Sequence, residues 1–169
     1  ENNICFRTSS QCFHQHYGRE NIVRNNVFAF GGEGTIALSR SEDHLAYTFI
    51  RNVVFADDLA VFVGGSPGTL EHKRFISDLN LFVRGSAHAV MGGEGHFNEF
   101  AKWEYTKRYD WNGWTDLGYD RHSLTENWSG ALDERTVIEF AGNPSYLALE
   151  AGFAAIDVAG FGPRPPSEE

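Results

Sequence analysis

The sequence predicts an all-β fold, a right-handed parallel β-helix of about four coils closed by an irregular, partly helical C-terminal cap. Three observations carry that prediction. Similar β-rich segments recur along the chain, and glycines and polar residues punctuate them. Their spacing is too short for a βαβ unit and too strand-like for a helical solenoid. On this division residues 1–95 form the coils, 96–162 the capping region and 163–169 a tail.

The coils are marked by a repeated motif. Arg24-Asn25-Asn26-Val27-Phe28-Ala29, Arg51-Asn52-Val53-Val54-Phe55-Ala56 and Asp78-Leu79-Asn80-Leu81-Phe82-Val83 line up, and Asn2-Asn3-Ile4-Cys5-Phe6 is a looser copy. Their phenylalanines fall at positions 6, 28, 55 and 82, in steps of 22, 27 and 27. With the longer step Ile22, Phe49 and Ile76 correspond, as do Ile36, Val63 and Val90. Each set is expected to stack as an apolar ladder inside the coil. Gly31-Gly32, Gly64-Gly65 and Gly92-Gly93 lie between the strands as turn signals. Asparagine suits the corners, because its side chain bonds neighbouring backbone and tolerates left-handed φ. An antiparallel sandwich with coincidental spacing is the alternative.

A short stack leaves two open ends of unpaired backbone and apolar surface, which ordinarily need caps. In His96-Phe97-Asn98-Glu99-Phe100-Ala101-Lys102-Trp103 the aromatics at 97, 100 and 103 have a helix-like spacing, and this segment is expected to form a capping helix. Nothing comparable closes the other end. Missing N-terminal coils or another subunit are expected there, since Glu1-Asn2-Asn3-Ile4-Cys5-Phe6 already reads as the interior of an ordered domain. Gly162-Pro163-Arg164-Pro165-Pro166 reads as a stop followed by the tail.

The formal net charge of −9 argues against a nucleic-acid partner, whose phosphates reward clustered Lys and Arg. Neutral glycans or cation sites fit that balance better. No apolar run approaches the roughly 20 residues of a membrane helix, so no membrane partner is expected. The two cysteines, Cys5 and Cys12, are too few for a disulfide framework. They are expected as small buried thiols, with a bridge open to them in an oxidising compartment.

The run Phe13-His14-Gln15-His16-Tyr17-Gly18-Arg19-Glu20-Asn21-Ile22-Val23-Arg24-Asn25-Asn26 resembles a segment common in bacterial right-handed parallel β-helix repeat proteins, the pectate-lyase-like and β-helix glycoside hydrolase superfamily. Arg40-Ser41-Glu42-Asp43-His44-Leu45-Ala46-Tyr47-Thr48-Phe49 continues the resemblance. So do Gly118-Tyr119-Asp120-Arg121-His122-Ser123 and Ala151-Gly152-Phe153-Ala154-Ala155-Ile156-Asp157, which look like closing segments of such proteins. It covers most of the chain as the C-terminal part of such a protein, and fits worst from Lys107 to Thr115. It implies a secreted or periplasmic setting and a polysaccharide or oligosaccharide partner. These β-helices include glycoside hydrolases, polysaccharide lyases and members with no assigned reaction, and fold analogy does not choose among them.

The 27-residue step also suggests where chemistry sits. It carries His16 onto Asp43, Tyr17 onto His44 and then Glu71, Gln15 onto Glu42, and Phe13 onto Arg40. Matching residues of adjacent strands lie about 4.8 Å apart, so His16, Tyr17, Asp43 and His44 are expected in one patch, with Glu42, Arg40 and Arg19 near it. Neighbours such as Glu42 and Asp43 cannot share a face of a regular strand, so the patch requires a turn or loop. Hydrolysis is the favoured reaction; it commonly uses two carboxyls, for which Asp43 with Glu42 or Glu71 is expected, His16, Tyr17 and His44 supporting. Elimination instead needs a base and a cation beside a uronate. His16, Tyr17 or His44 would be the base, and Arg19 or Arg40 the cation. His14, on the same face as His16, joins Arg19, Arg40 and Glu71 as a substrate-binding candidate. A non-catalytic glycan-binding or adhesion role is the third reading.

No cofactor is expected, Ca²⁺ being the one ion that the Asp57-Asp58 pair brings to mind, although adjacent acids after a strand read first as a turn. His14-Gln15-His16 has no identifiable third ligand for Zn²⁺. Asp120-Arg121-His122-Ser123 reads as structural rather than as a triad. Trp103, Trp111, Trp114 and Trp128, with Tyr105, Tyr109 and Tyr119, are expected to fill the cap or to stack on sugar rings.

Overall fold

The computed structural model describes residues 1–84, 90–97 and 103–159. Three short strands make each coil. The first holds β1 (Ile4–Phe6), β2 (Phe13–Gln15) and β3 (Asn21–Arg24). The second holds β4 (Val27–Ala29), β5 (Ile36–Leu38) and β6 (Tyr47–Ile50), and the third β7 (Val53–Ala56), β8 (Phe62–Gly64) and β9 (Phe75–Asp78). A fourth coil begins with β10 (Leu81–Arg84) and β11 (Gly92–Phe97). Strand β12 (Trp103–Tyr109), helix α1 (Trp111–Asp116), strand β13 (Leu124–Asn127), and helices α2 (Glu134–Gly142) and α3 (Tyr146–Glu150) complete the chain.

Equivalent strands pair in parallel into three sheets, β1-β4-β7-β10-β13, β2-β5-β8-β11-β12 and β3-β6-β9, with β11–β12 the one antiparallel pairing among them. This is the parallel β-helix the repeats predict. The expected capping helix over 96–103 is not formed where the structure describes it. His96 and Phe97 end β11, Trp103 opens β12, and the two strands run antiparallel; residues 98–102 lie outside the described residues. Aromatics three apart mark a helix face only when the backbone between them is continuous helix.

The register corrects the ladders expected from a uniform step. Cys5 pairs with Phe28, Phe28 with Val54 and Val54 with Phe82, while Phe6, Ala29, Phe55 and Val83 form the adjacent row. The interval from Phe28 to Phe82 is thus divided into 26 and 28 residues rather than two equal steps. A one-residue offset turns a side chain to the opposite face. Phe28, Val54 and Phe82 therefore fill the coil interior, whereas Phe55 faces outward into a second apolar cluster. The same offset makes Thr48, not Phe49, the partner of Ile22 and Ile76. Phe49 is 0% exposed, against 65% for Ile22 and 49% for Ile76. Likewise Ile36 pairs with Phe62 and then Gly92, and Val63 belongs to the outward row.

The corners follow from asparagine chemistry. Asn2, Asn25, Arg51 and Leu79 each adopt positive φ, at 62°, 52°, 54° and 56°, and each precedes an asparagine. Those asparagines, Asn3, Asn26, Asn52 and Asn80, stack from coil to coil. Asn26 Oδ1 accepts the Asn3 N–H at 3.0 Å, Asn52 Oδ1 accepts that of Asn26 at 3.0 Å, and Asn80 Oδ1 accepts that of Asn52 at 2.9 Å. Ser123 Oγ takes over at the far end, accepting the Asn80 N–H at 2.8 Å. Each side chain thus satisfies the amide that a left-handed corner removes from the regular ladder.

The C-terminal region closes the core in two places. Trp114 stacks on Phe62 at 4.8 Å between ring centres, and Tyr119 stacks on Phe75 at 4.4 Å, so the aromatic interior ends on indole and phenol. Helices α2 and α3 cover the outer face of the first sheet. There Val27, Val53, Phe55, Leu81 and Val83 meet Val137, Phe140, Ala148 and Phe153. Asp133 starts α2 by accepting the Thr136 N–H at 2.8 Å.

Candidate functional site

The loops that lead from the second sheet to the third, residues 16–20, 39–46 and 65–74, lie above one another and carry most of the expected site. In β2 and β5 the register step is 23 residues: Phe13 pairs with Ile36, His14 with Ala37 and Gln15 with Leu38. His16 and Asp43 are therefore not strand partners. The loops nevertheless bring several candidates together. The His14 and His16 rings lie 5.9 Å apart, His16 and Tyr17 4.5 Å apart, and the Arg40 guanidinium sits 5.4 Å from the Tyr17 ring centre. Tyr17 is 60% exposed.

The carboxylates are matched with bases. Glu42 Oε2 lies 3.5 Å from His44 Nε2, which also contacts the Gly18 carbonyl at 3.0 Å. Asp43 Oδ1 lies 2.7 Å from the Arg74 guanidinium, a partner the sequence did not suggest. Glu71 is bound by the Lys107 ammonium and accepts the Tyr109 hydroxyl at 3.0 Å. The Lys107 hydrogen bond, then that of Tyr109, holds the Glu71 carboxyl below its ordinary range. Arg19 is exposed and forms no ion pair among the described residues.

Beside His14 lies a small pocket of about 230 Å³, below the roughly 300–1,000 Å³ of drug-sized sites and suited to a single ring. Ala37 and Val63, side chains of the outward row, line it with Ser10, Gln11, Glu33 and Ser39. Glu33 Oε2 accepts from Ser10 Oγ at 2.6 Å and from Gln11 Nε2 at 3.1 Å, and His14 Nε2 contacts Ser39 Oγ. Sequence reasoning missed Glu33. The available signal was a lone acid inside Gly31-Gly32-Glu33-Gly34, where tight glycine turns leave one functional side chain. A Cβ at Gly31 would lie 2.0 Å from the Gly34 carbonyl oxygen, so glycine is required for the turn itself.

A second cleft, about 560 Å³, is bordered by Arg7, Phe30, Asp57 and Asp58. Asp57 Oδ1 accepts the Leu59 N–H at 2.9 Å, the turn contact its position suggests. Among the described residues no group of three or more His, Cys, Asp or Glu side chains is arranged to hold a metal ion.

Two buried acids have structural tasks. Glu94 accepts the Gly68 and Leu70 amides at 2.8 and 2.7 Å, tying the third loop to β11. Asp120 accepts Ser123 Oγ, Ser77 Oγ, Trp114 Nε1 and Asn80 Nδ2 at 2.6, 2.7, 2.8 and 3.0 Å. His122 turns away to Asp78 at 2.7 Å, so the Asp120-Arg121-His122-Ser123 run does not form a triad.

Comparison of the chain with family models, curated proteins and solved structures gives no match.

Proposed function

We propose that the chain is carbohydrate-active and takes a polysaccharide or oligosaccharide across its loop face, in a secreted or periplasmic setting. The observation that carries this reading is the exposed Tyr17 ring, with His16 and Arg40 beside it and the Glu33–His14 pocket alongside. An aromatic face takes the apolar face of a sugar, while carboxylate, imidazole and hydroxyl groups meet its hydroxyls. Successive loops repeat along the coil axis, as a linear polymer requires.

Glycan binding is the role this arrangement supports best. Elimination is the second reading, because His16, Tyr17 and Arg40 place a base beside a cation, with no carboxylate paired to either among the described residues. Hydrolysis by paired carboxyls has less support. It needs one carboxyl that keeps its proton and another across the bond, whereas Asp43 faces Arg74 and Glu71 is held in its charged form.

Incubation with a panel of neutral and uronate-bearing polysaccharides tests the reading, with retention in affinity gels, reducing ends and unsaturated uronates followed together. Retention without products supports binding. Unsaturated products lost in His16→Ala support elimination, and new reducing ends without unsaturation, lost in Asp43→Ala, restore hydrolysis. Absence of both retention and turnover on every polymer overturns the proposal.

A further inference from the structure

We infer that Cys5 and Cys12 are a reversible dithiol that closes to a disulfide and clamps the turn between β1 and β2. Cys5 points into the coil on the row of Phe28, and Cys12 precedes β2, its N–H bonded to the Thr35 carbonyl at 2.9 Å. Each thiol is the principal influence on the other's protonation. Cys12 Sγ also lies 3.8 Å from the Cys5 carbonyl oxygen, 3.7 Å from Thr8 Oγ1 and 3.7 Å from the Ala29 carbonyl oxygen. Both side chains are half-buried, Cys5 on β1 and Cys12 in the turn just before β2. They are the only cysteines of the chain.

The two sulfurs are chemically distinct. The hydrogen bond from Cys5, opposed by burial, lowers the Cys12 thiol to about 7, whereas the same contact pushes Cys5 upward. A thiolate, not a thiol, attacks a disulfide. Cys12 therefore attacks a small-molecule disulfide first, forming a mixed disulfide and releasing one thiolate. Cys5 then loses its proton to solvent and attacks the Cys12 sulfur, expelling the second thiolate. The protein loses two protons and two electrons, and the small disulfide is reduced to two thiols.

The turn this bond would clamp is part of the pocket wall. The Gly32 N–H donates to the Thr8 carbonyl at 2.9 Å, and Ser10 and Gln11 hold Glu33. The oxidised chain should restrain that wall, and the reduced chain should release it.

The full chain is equilibrated with oxidised and reduced glutathione at graded ratios, quenched with iodoacetamide and mapped without reduction. A peptide pair joined through Cys5 and Cys12 is expected, absent from Cys12→Ser. In the oxidised chain the Gly32 amide should exchange about tenfold more slowly than in the reduced chain. Two alkylated thiols at the most oxidising ratio, a persistent glutathione adduct on Cys12, or a bond only between chains would overturn the dithiol. An intact bond with unchanged Gly32 exchange would overturn the clamp.

Discussion

Asn52 Oδ1 accepts both the backbone N–H and the side-chain Nδ2 of Asn26, each at 3.0 Å, one coil below. Its own Nδ2 donates to the Val23 and Ile50 carbonyls at 2.9 and 3.1 Å, and its N–H reaches Asn80. One fully buried amide thus serves three coils.

Asn52→Ala should therefore orphan a buried amide N–H and buried carbonyls at once. Each such loss costs about 1–3 kcal/mol. Urea unfolding should show a destabilisation at or above that range, with Asn25→Ala, at the half-buried left-handed corner, costing less. Equal effects at the two positions would contradict a ladder built on the buried asparagine.

Phe55 tests the register. Its ring packs against Phe140 at 5.2 Å, outside the coil and under α2. Phe55→Ala should cost about 3–5 kcal/mol and speed amide exchange in α2 selectively. Phe82→Ala should instead loosen the interior around Trp111 and Phe62, its ring neighbours. If Phe55→Ala left α2 protected, the outward placement would be wrong.

The parallel β-helix was legible in the sequence because turns, glycines and apolar strands recur at nearly constant spacing. The register was not legible. Coils of unequal length put Phe55 at the expected number but on the opposite face, and only pairing through the Asn26–Asn52–Asn80 row reveals the offset. The site was legible in part for the same reason. His14, His16, Tyr17 and Arg40 do converge, since the loop face collects whatever polar residues flank β2 and β5. The pairing of Asp43 with Arg74 and of Glu71 with Lys107 depends on loop geometry that no fixed step describes.

Glu71 makes an electrostatic prediction. Its carboxyl is held below the ordinary value of 4.5 through Lys107 first and Tyr109 second. A depressed carboxyl favours the folded state above its unfolded value, and that contribution is lost as pH falls through the folded value. NMR titration of the side-chain carboxyl should find its midpoint below 4.5 in the native chain, and back near it in Lys107→Met. Salt should shrink the difference, because the pair is exposed. A midpoint indifferent to Lys107 would show that the contact is absent in solution.

If the Tyr17 loop face binds glycan, a binding titration of two variants shows it most directly. Tyr17→Ala and Ile22→Ser both remove exposed side chains, but Ile22 lies on the outward row of β3 in the third sheet rather than in the loop. Against the polysaccharide best retained by the native chain, Tyr17→Ala should weaken affinity about tenfold, some 1.4 kcal/mol, while Ile22→Ser binds as the native chain does. Native affinity in Tyr17→Ala, or equal losses in both variants, would contradict the claim.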